Sequence, residues 1–255
     1  MAKRSILNEP GGPAAGACAA SAAEPASRTL IERAYEQLRG DIIEGRLAPG
    51  EKLRVEHMKE RYGVSAGTLR EAITRLASDA LVATEGQRGF RVAPIALEEL
   101  EDLTRLRVQL ETDALRQSMR NGGPAWRAAV GEAFEALSAE EPIRPERRPQ
   151  WEALNLRFHE ALLSGHDSQW TLRVLRLLSR HSERYRSYAI TLPGSRRDVH
   201  AEHIEIVRYV LAGQEARAAL ALEAHIRATP DLLIQALREG RAVLPQRSAA
   251  ESPPP

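Results

Sequence analysis

Apolar residues recur every three to four positions along most of the chain. Ile31, Tyr35 and Leu38, for example, are spaced four and three residues apart, which places their side chains on one face of an α-helix. Beyond residue 97 the same period predicts helices over about 98–120, 124–139, 149–164, 168–190, 195–212 and 214–239. Thr229 and Pro230 have the chemistry of an N-cap and a first helical residue, so the last helix is expected to divide there.

The pattern before residue 94 is different. Two short helical runs meet at a tight turn containing Gly63, and Ser65 is placed as the N-cap of the second run, an arrangement that predicts a helix-turn-helix. Two β-prone runs around Gly86 and Gly89 then predict a hairpin. The expected fold class is mainly α: an N-terminal winged helix-turn-helix with a small β-hairpin wing, followed by an all-α helical bundle.

Composition suggests where the domains begin and end. Residues 1–27 and 241–255 are rich in Ala, Gly, Pro or Ser without periodicity and are predicted to be flexible tails. Between them, the winged domain is expected over 28–94 and the helical domain over 95–240. This length suits two domains, and the 4% aromatic content favours helices over a β-sandwich.

Charge and cysteine content indicate in which compartment the protein works and what surface it could offer to nucleic acid. The net charge is +1, so any surface that binds nucleic acid must be a local patch. A single cysteine, Cys18, cannot form an internal disulfide and fits a reducing compartment. Charged residues interrupt every apolar run, so no membrane span is expected. A cytoplasmic protein is predicted.

The second helix of a helix-turn-helix enters the DNA major groove with its N-terminal residues. Thr68 and Arg70 are therefore expected to read DNA, since Arg can form two hydrogen bonds to guanine. The hairpin presents Arg88 and Gly89 at a narrow tip. The alternative is a structural domain in which Arg70 pairs with a carboxylate. The predicted contact residues are Ser65, Gly67, Thr68, Arg70, Arg75, Arg88 and Gly89.

Three histidines occupy apolar helical stripes in the second domain: His159, His203 and His225. A lone inward histidine is more often a hydrogen-bonded core residue than a ligand. Three from three helices, with Asn155 one turn before His159, instead favour a metal site, and imidazole suits Zn, Ni or Cu.

Arg107 is also expected inside the bundle, because it shares the stripe of Leu100 and Leu110. It could pair with Glu111 at i+4, or it could bind the carboxylate of a small effector with its guanidinium. Arg184 and Arg186 are further effector-binding candidates, with a solvated basic face as the alternative.

Residues 29–93 resemble the DNA-binding domain of GntR-superfamily transcriptional regulators. The resemblance is carried by Tyr62-Gly63-Val64-Ser65, Thr68-Leu69-Arg70-Glu71-Ala72-Ile73 and Gln87-Arg88-Gly89-Phe90-Arg91-Val92. It implies that Ser65, Thr68, Arg70, Arg88 and Gly89 lie at the DNA. Ala66 stands where the family usually has Arg, and Val55 where it often has Glu. Ala66 removes an expected phosphate contact.

The second domain is similar to the effector domain of the FadR subgroup, of the FCD type. The matching positions are Arg107-x-x-x-Glu111, Phe158-His159, Glu202-His203 and His225-Ile226. The resemblance implies that an acid and three histidines hold a metal, with Asn155 at the position of the acid. A neutral amide is a weaker ligand. Arg61-Tyr62 and Arg184-Tyr185-Arg186 most resemble repressors of carbon-starvation genes that respond to a dicarboxylate.

These features predict a homodimeric transcriptional repressor that leaves a palindromic double-stranded operator when a small carboxylate binds at a Zn site, with Ni as a second candidate metal. One alternative is a regulator whose helical domain only dimerises and whose pocket is metal-free. A metal-dependent hydrolase is disfavoured, because His159-Glu160 begins an HExxH motif that Leu163 leaves incomplete. The protein is therefore expected not to be an enzyme.

Overall fold

The computed structural model describes residues 29–86, 89–190 and 197–239. Its first domain contains α1 (Leu30–Ile43), β1 (Lys52–Leu53), α2 (Val55–Tyr62), α3 (Ala66–Ser78), β2 (Val82–Thr84) and β3 (Phe90–Val92). Its second domain contains α4 (Leu97–Asn121), α5 (Pro124–Ser138), a 3-10 turn (Pro145–Arg147), α6 (Arg148–Leu163), α7 (Gln169–Ile190), α8 (Val199–Leu211) and α9 (Glu215–Arg238). The mainly α prediction is confirmed.

Local chemistry defines the helix-turn-helix. Gly63 ends α2 in the left-handed conformation, with φ +62°, which glycine adopts without steric cost. Ser65 then caps α3 by accepting a 3.1 Å hydrogen bond from the Thr68 amide. Leu69, Ile73 and Leu76 are fully buried on the inner face of α3. The two helices and the turn are therefore where the sequence predicts them.

The sheet has one strand more than the expected hairpin. Its strand order is β1-β3-β2, with both pairings antiparallel. Lys52 lies opposite Arg91, and Val82 lies opposite Val92. The sequence pattern missed β1 because two residues are too few to show alternation.

The predicted division of the last helix is wrong, because α9 continues through Pro230. Proline inside a helix costs about 3 kcal/mol. Buried residues on both sides of it, including Ile226 and Leu233, keep α9 packed along α4. Thr229 accepts a hydrogen bond from Arg197 instead of beginning a new helix. Tertiary packing thus outweighs the local signal.

The two domains have separate apolar cores, and α7 joins them. Leu38 and Leu69 are buried in the first core, and Phe158 and Ile206 in the second. From α7, Tyr185 packs in a smaller cluster with Ile95 of the connecting segment. None of the described helices combines the length and apolar character needed to span a membrane.

DNA-binding surface and histidine-lined cavity

The N-terminal turn of α3, the predicted recognition helix, is open to solvent. Ser65, Gly67 and Arg70 are exposed, and Thr68 is half-buried. In the described part of the chain Arg70 forms no ion pair. The alternative given above, in which Arg70 pairs with a carboxylate and has only a structural role, therefore finds no support among these residues. The open amides and the exposed Arg70 give this turn the chemistry of a DNA-contacting surface.

Two other predicted contact residues lie apart from this turn. Arg75 is near the end of α3, and its guanidinium lies 5.0 Å from the centroid of the Tyr35 ring, a cation-π contact with α1. Gly89 precedes β3 with φ +104°, a conformation that favours glycine. Arg88 lies outside the described residues.

The three predicted metal ligands meet in the second domain. His159 on α6, His203 on α8 and His225 on α9 are all buried. Their ring centroids are 4.8 to 6.1 Å apart, and one nitrogen of each ring lies within 4.8 Å of the others. Among the described residues this is the one group of three or more His, Cys, Asp or Glu side chains so arranged.

Several buried polar atoms in and beside this group have no hydrogen-bond partner in the described structure, among them Nδ1 of His159 and Oε2 of Glu111, which lie 3.4 Å apart. Two more are Oδ1 of Asn155 and Nε2 of His203. A buried polar atom without a partner costs stability. Asn155 lies one helical turn before His159, as the i,i+4 spacing predicts. The orphaned atoms and clustered imidazoles form a donor set suited to a borderline metal ion.

Burial favours the neutral form of two of these histidines. It lowers the pKa of His159 to about 4, although the nearby Glu111 carboxylate acts in the opposite direction. Burial, followed by the charges of His203 and His159, lowers the pKa of His225 well below its usual value. A neutral imidazole has the free lone pair that a metal requires.

Three carboxylates lie behind the histidines. Oε2 of Glu202 is 2.7 Å from Nδ1 of His225, and Oε1 of Glu141 is 3.2 Å from Nδ1 of His203. Oε2 of Glu111 is 3.4 Å from Nδ1 of His159. The sequence analysis did not assign these contacts. Helical spacing does not reveal them, because each glutamate and its histidine lie on different elements.

A cavity of about 480 Å³ borders the cluster. Asn155 and His225 line it, together with two arginines, Arg186 and Arg197. Arg186 donates a 2.7 Å hydrogen bond to Glu152, and Arg197 binds Glu202 at 2.6 and 2.8 Å. The sequence analysis proposed Arg186 and assigned no role to Arg197, which it placed within the helix expected over 195–212 and which the structure places just before α8.

Arg107 is buried, as predicted, but it is not among the residues that line this cavity. Its Nε donates a 2.7 Å hydrogen bond to Glu111, and both side chains are less than 10% exposed. The ion pair with Glu111 is the alternative partner given above for Arg107, and the effector contact of Arg107 stays a prediction. Arg184 is also buried rather than solvated, and it donates to the carbonyl of Pro94 in the segment between the domains.

Comparisons with known proteins agree with both halves of this architecture. Residues 30–92 match the family of bacterial regulatory proteins called the gntR family. Residues 102–228 match the FCD domain. The fold and the exposed helix-turn-helix define a DNA-binding regulator, and the chain belongs to the GntR family of transcriptional regulators, with an FCD domain.

Two curated relatives extend over most of the chain. The HTH-type transcriptional regulator BphR of Paraburkholderia xenovorans is 42% identical over 213 residues, which cover 82% of this chain and 86% of BphR. The HTH-type transcriptional repressor GlaR of Escherichia coli is 31% identical over 212 residues, covering 81% and 96%. Both are regulators, so the prediction that the chain is not an enzyme is confirmed.

Solved structures show the same fold. McbR/YncC of E. coli superposes with a TM-score of 0.65 at 19% identity, covering 83% of this chain and all of that one. A GntR regulator from Rhodococcus gives a TM-score of 0.65 at 23% identity, covering 81% and 98%.

Proposed function

We propose that this GntR-family regulator is a homodimeric repressor whose DNA affinity is controlled by a small carboxylate bound beside a divalent metal ion. One observation carries the proposal: buried, unpartnered atoms of Asn155 and His203 lie among clustered histidines at the edge of a cavity that contains two arginines. This combination fits a cation and an anionic ligand side by side.

The metal would be held by His159, His203 and His225, with Asn155 as a weak fourth ligand. Three imidazole nitrogens and one amide oxygen would favour Zn, with Ni as the second candidate. When bound, the ion supplies a positive centre that a carboxylate oxygen can coordinate.

The effector would occupy the cavity. Its volume of about 480 Å³ is in the range of small-molecule sites, roughly 300 to 1,000 Å³. Arg186 and Arg197 line it and each already donates to a glutamate, Glu152 and Glu202 respectively. An effector carboxylate would share or exchange these pairs. Two arginines and a metal favour a ligand with two carboxylates. Arg197 is proposed as an effector contact because it lines the cavity, and the contact expected of Arg107 stays a prediction.

On DNA, α3 would enter the major groove with Thr68 and Arg70 facing the bases. One recognition helix reads one half-site, so we propose that a homodimer binds a palindromic operator. Arg70→Ala is expected to reduce specific affinity by about 1 to 3 kcal/mol and to weaken discrimination. Equal operator binding by wild type and this variant, at the same salt concentration, would contradict the assignment.

The effector is tested with a panel of mono- and dicarboxylates in an operator-binding assay, with and without added Zn. A dicarboxylate is expected to weaken operator binding, and removal of the metal or Arg197→Ala should reduce this response. Arg227→Ala, an exposed position on α9, is the control and should respond as wild type does. A response that survives both metal removal and Arg197→Ala would place the effector elsewhere.

A second candidate function is supported by Asn155, whose neutral side chain is a poor replacement for an acid. In that case the helical domain only dimerises and holds no metal. Metal analysis of the purified protein separates the candidates, because a metal-free protein that does not take up added Zn supports only the second.

A further inference from the structure

Each of the three clustered histidines has a carboxylate on its Nδ1 side. The glutamates come from three places in the chain: Glu111 from α4, Glu141 from the segment after α5, and Glu202 from α8. Their oxygens lie 3.4, 3.2 and 2.7 Å from Nδ1 of His159, His203 and His225, respectively. With Nδ1 directed at a glutamate, Nε2 is the nitrogen left to bind an ion.

Other side chains hold these glutamates in turn. Arg107 donates to Glu111 at 2.7 Å. Arg197 binds both oxygens of Glu202, at 2.6 and 2.8 Å.

Glu141 is held differently, by neighbours on both of its oxygens. Trp151 Nε1 donates to Oε1 at 3.2 Å, and His200 Nδ1 lies 2.5 Å from Oε2. The side chain of Glu141 is 2% exposed. All three carboxylates are therefore fixed in place.

We infer that Glu111, Glu141 and Glu202 are positioning residues for the metal. Glu141 and Glu202 accept hydrogen bonds from Nδ1–H of His203 and His225, Glu111 faces Nδ1 of His159 at ion-pair distance, and together they aim Nε2 of the histidines at the ion. This inference rests on the proposed metal binding. A carboxylate behind a ligating imidazole fixes its tautomer and increases its basicity. Here the three glutamates also bring negative charge close to a site whose fourth ligand, Asn155, is neutral. The site thus has no acidic ligand, but it has three glutamates that contact the ligating histidines instead of the ion.

The same contacts could instead be ordinary hydrogen bonds of a packed interior. In that case a glutamate-to-glutamine change would alter folding stability without a specific effect on metal affinity. Glutamine keeps the length and one acceptor oxygen but removes the charge. Metal affinity, measured separately from stability, therefore distinguishes positioning from packing.

The experiment measures Zn affinity of the full chain by competition with a chromophoric chelator, for wild type and for Glu111→Gln, Glu141→Gln and Glu202→Gln. Losses of carboxylates behind ligating histidines typically cost about 10- to 100-fold in affinity, and each variant is expected in that range. Co²⁺ absorption gives a second readout, because a displaced imidazole changes the ligand field.

Glu152→Gln is the matched control. Glu152 is buried and bound to an arginine, Arg186, as Glu111 is to Arg107, but among the described residues its hydrogen-bond partner is not a histidine. This variant should bind Zn as wild type does. If Glu111→Gln fails to fold, Glu202→Gln decides, since the Glu202 side chain is 27% exposed and tolerates change better.

The outcomes are separable. Gln variants that are folded and bind Zn with wild-type affinity would overturn the inference while leaving the metal site intact. Wild-type protein that binds no Zn would refute the proposed metal function itself. An equal loss in Glu152→Gln would show a general effect of buried charge and would also overturn the inference.

Discussion

Ser187 on α7 donates a 2.7 Å hydrogen bond to the carbonyl oxygen of Ile43, the last residue of α1. One turn earlier on α7, Glu183 forms an ion pair with Arg39 of α1. Arg186, between these two positions, lines the cavity of the other domain. One helix thus contacts both the DNA-binding domain and the proposed effector site, so a ligand that shifts Arg186 can change how the DNA-binding domain is held.

Removing the two contacts of α7 with α1, those of Glu183 and Ser187, should uncouple the domains. A coupling free energy typically changes affinity by 5- to 150-fold. For Glu183→Gln combined with Ser187→Ala, the ratio of operator affinities with and without the dicarboxylate should move toward 1, while Zn affinity stays unchanged. Operator titrations at saturating ligand measure the ratio. Glu160→Gln, which breaks a partly exposed ion pair with Arg176, is the control and should keep the wild-type ratio. An unchanged ratio in the double variant would exclude α7 as the link between the domains.

Ala66→Arg should tighten binding to specific and random DNA alike. Ala66 is the first residue of α3 and is half-buried, so an arginine stem can lie along the helix while the guanidinium reaches a phosphate. The salt dependence should steepen by about one phosphate contact. Ala66→Gln, similar in length but uncharged, should leave the salt slope unaltered. A gain confined to the operator would indicate that position 66 faces bases.

Asn155→Asp should raise Zn affinity, because it places an anionic oxygen where the orphaned Oδ1 lies. His203→Ala should abolish binding, since it removes one of three nitrogen ligands. Chelator competition on both variants measures the changes. Equal metal affinity in wild type and Asn155→Asp would show that residue 155 does not reach the ion.

Asp41 makes the DNA-binding domain sensitive to acid. It accepts hydrogen bonds from Tyr62 and Arg46, both at 2.6 Å, and from Arg61 at 3.0 Å. Burial would raise the pKa of Asp41, but these partners outweigh it and hold the pKa below its ordinary value. A carboxyl with a lowered pKa stabilises the fold above its unfolded pKa, and this contribution is lost as pH falls through the folded pKa.

Asp41→Asn should therefore destabilise the domain by roughly 1 to 3 kcal/mol at pH 7. Below the unfolded pKa of about 3.9 the difference from wild type should shrink. Denaturant unfolding at pH 7 and at about pH 3 gives the two values. A difference that is the same at both pH values would mean that the charge of Asp41 does not stabilise the fold.

Much of the fold can be predicted from residue spacing. What could not be predicted depends on contacts between residues that are far apart in the sequence. The turn at Gly63, the cap at Ser65 and the inward histidines are local or periodic signals, which a single sequence contains. Glu141 lies between helices, and Arg197 precedes α8 although the pattern predicts a helix over 195–212. No apolar period assigns a role to either residue. Pro230 misleads because packing on α4 is a long-range effect. Helical spacing correctly predicts that Arg107 is buried in the bundle. It could not decide whether the partner of Arg107 is Glu111 or an effector carboxylate.

The position of β1 has a consequence for how the protein meets DNA. Since β3 pairs with both β1 and β2, the wing is tied to the chain that leads directly into α2. Arg91 strengthens this link through a 2.7 Å hydrogen bond to the carbonyl of Gly50. The hairpin and the recognition helix are thus expected to approach the duplex as one rigid unit. Little conformational entropy would then be lost when the protein binds DNA.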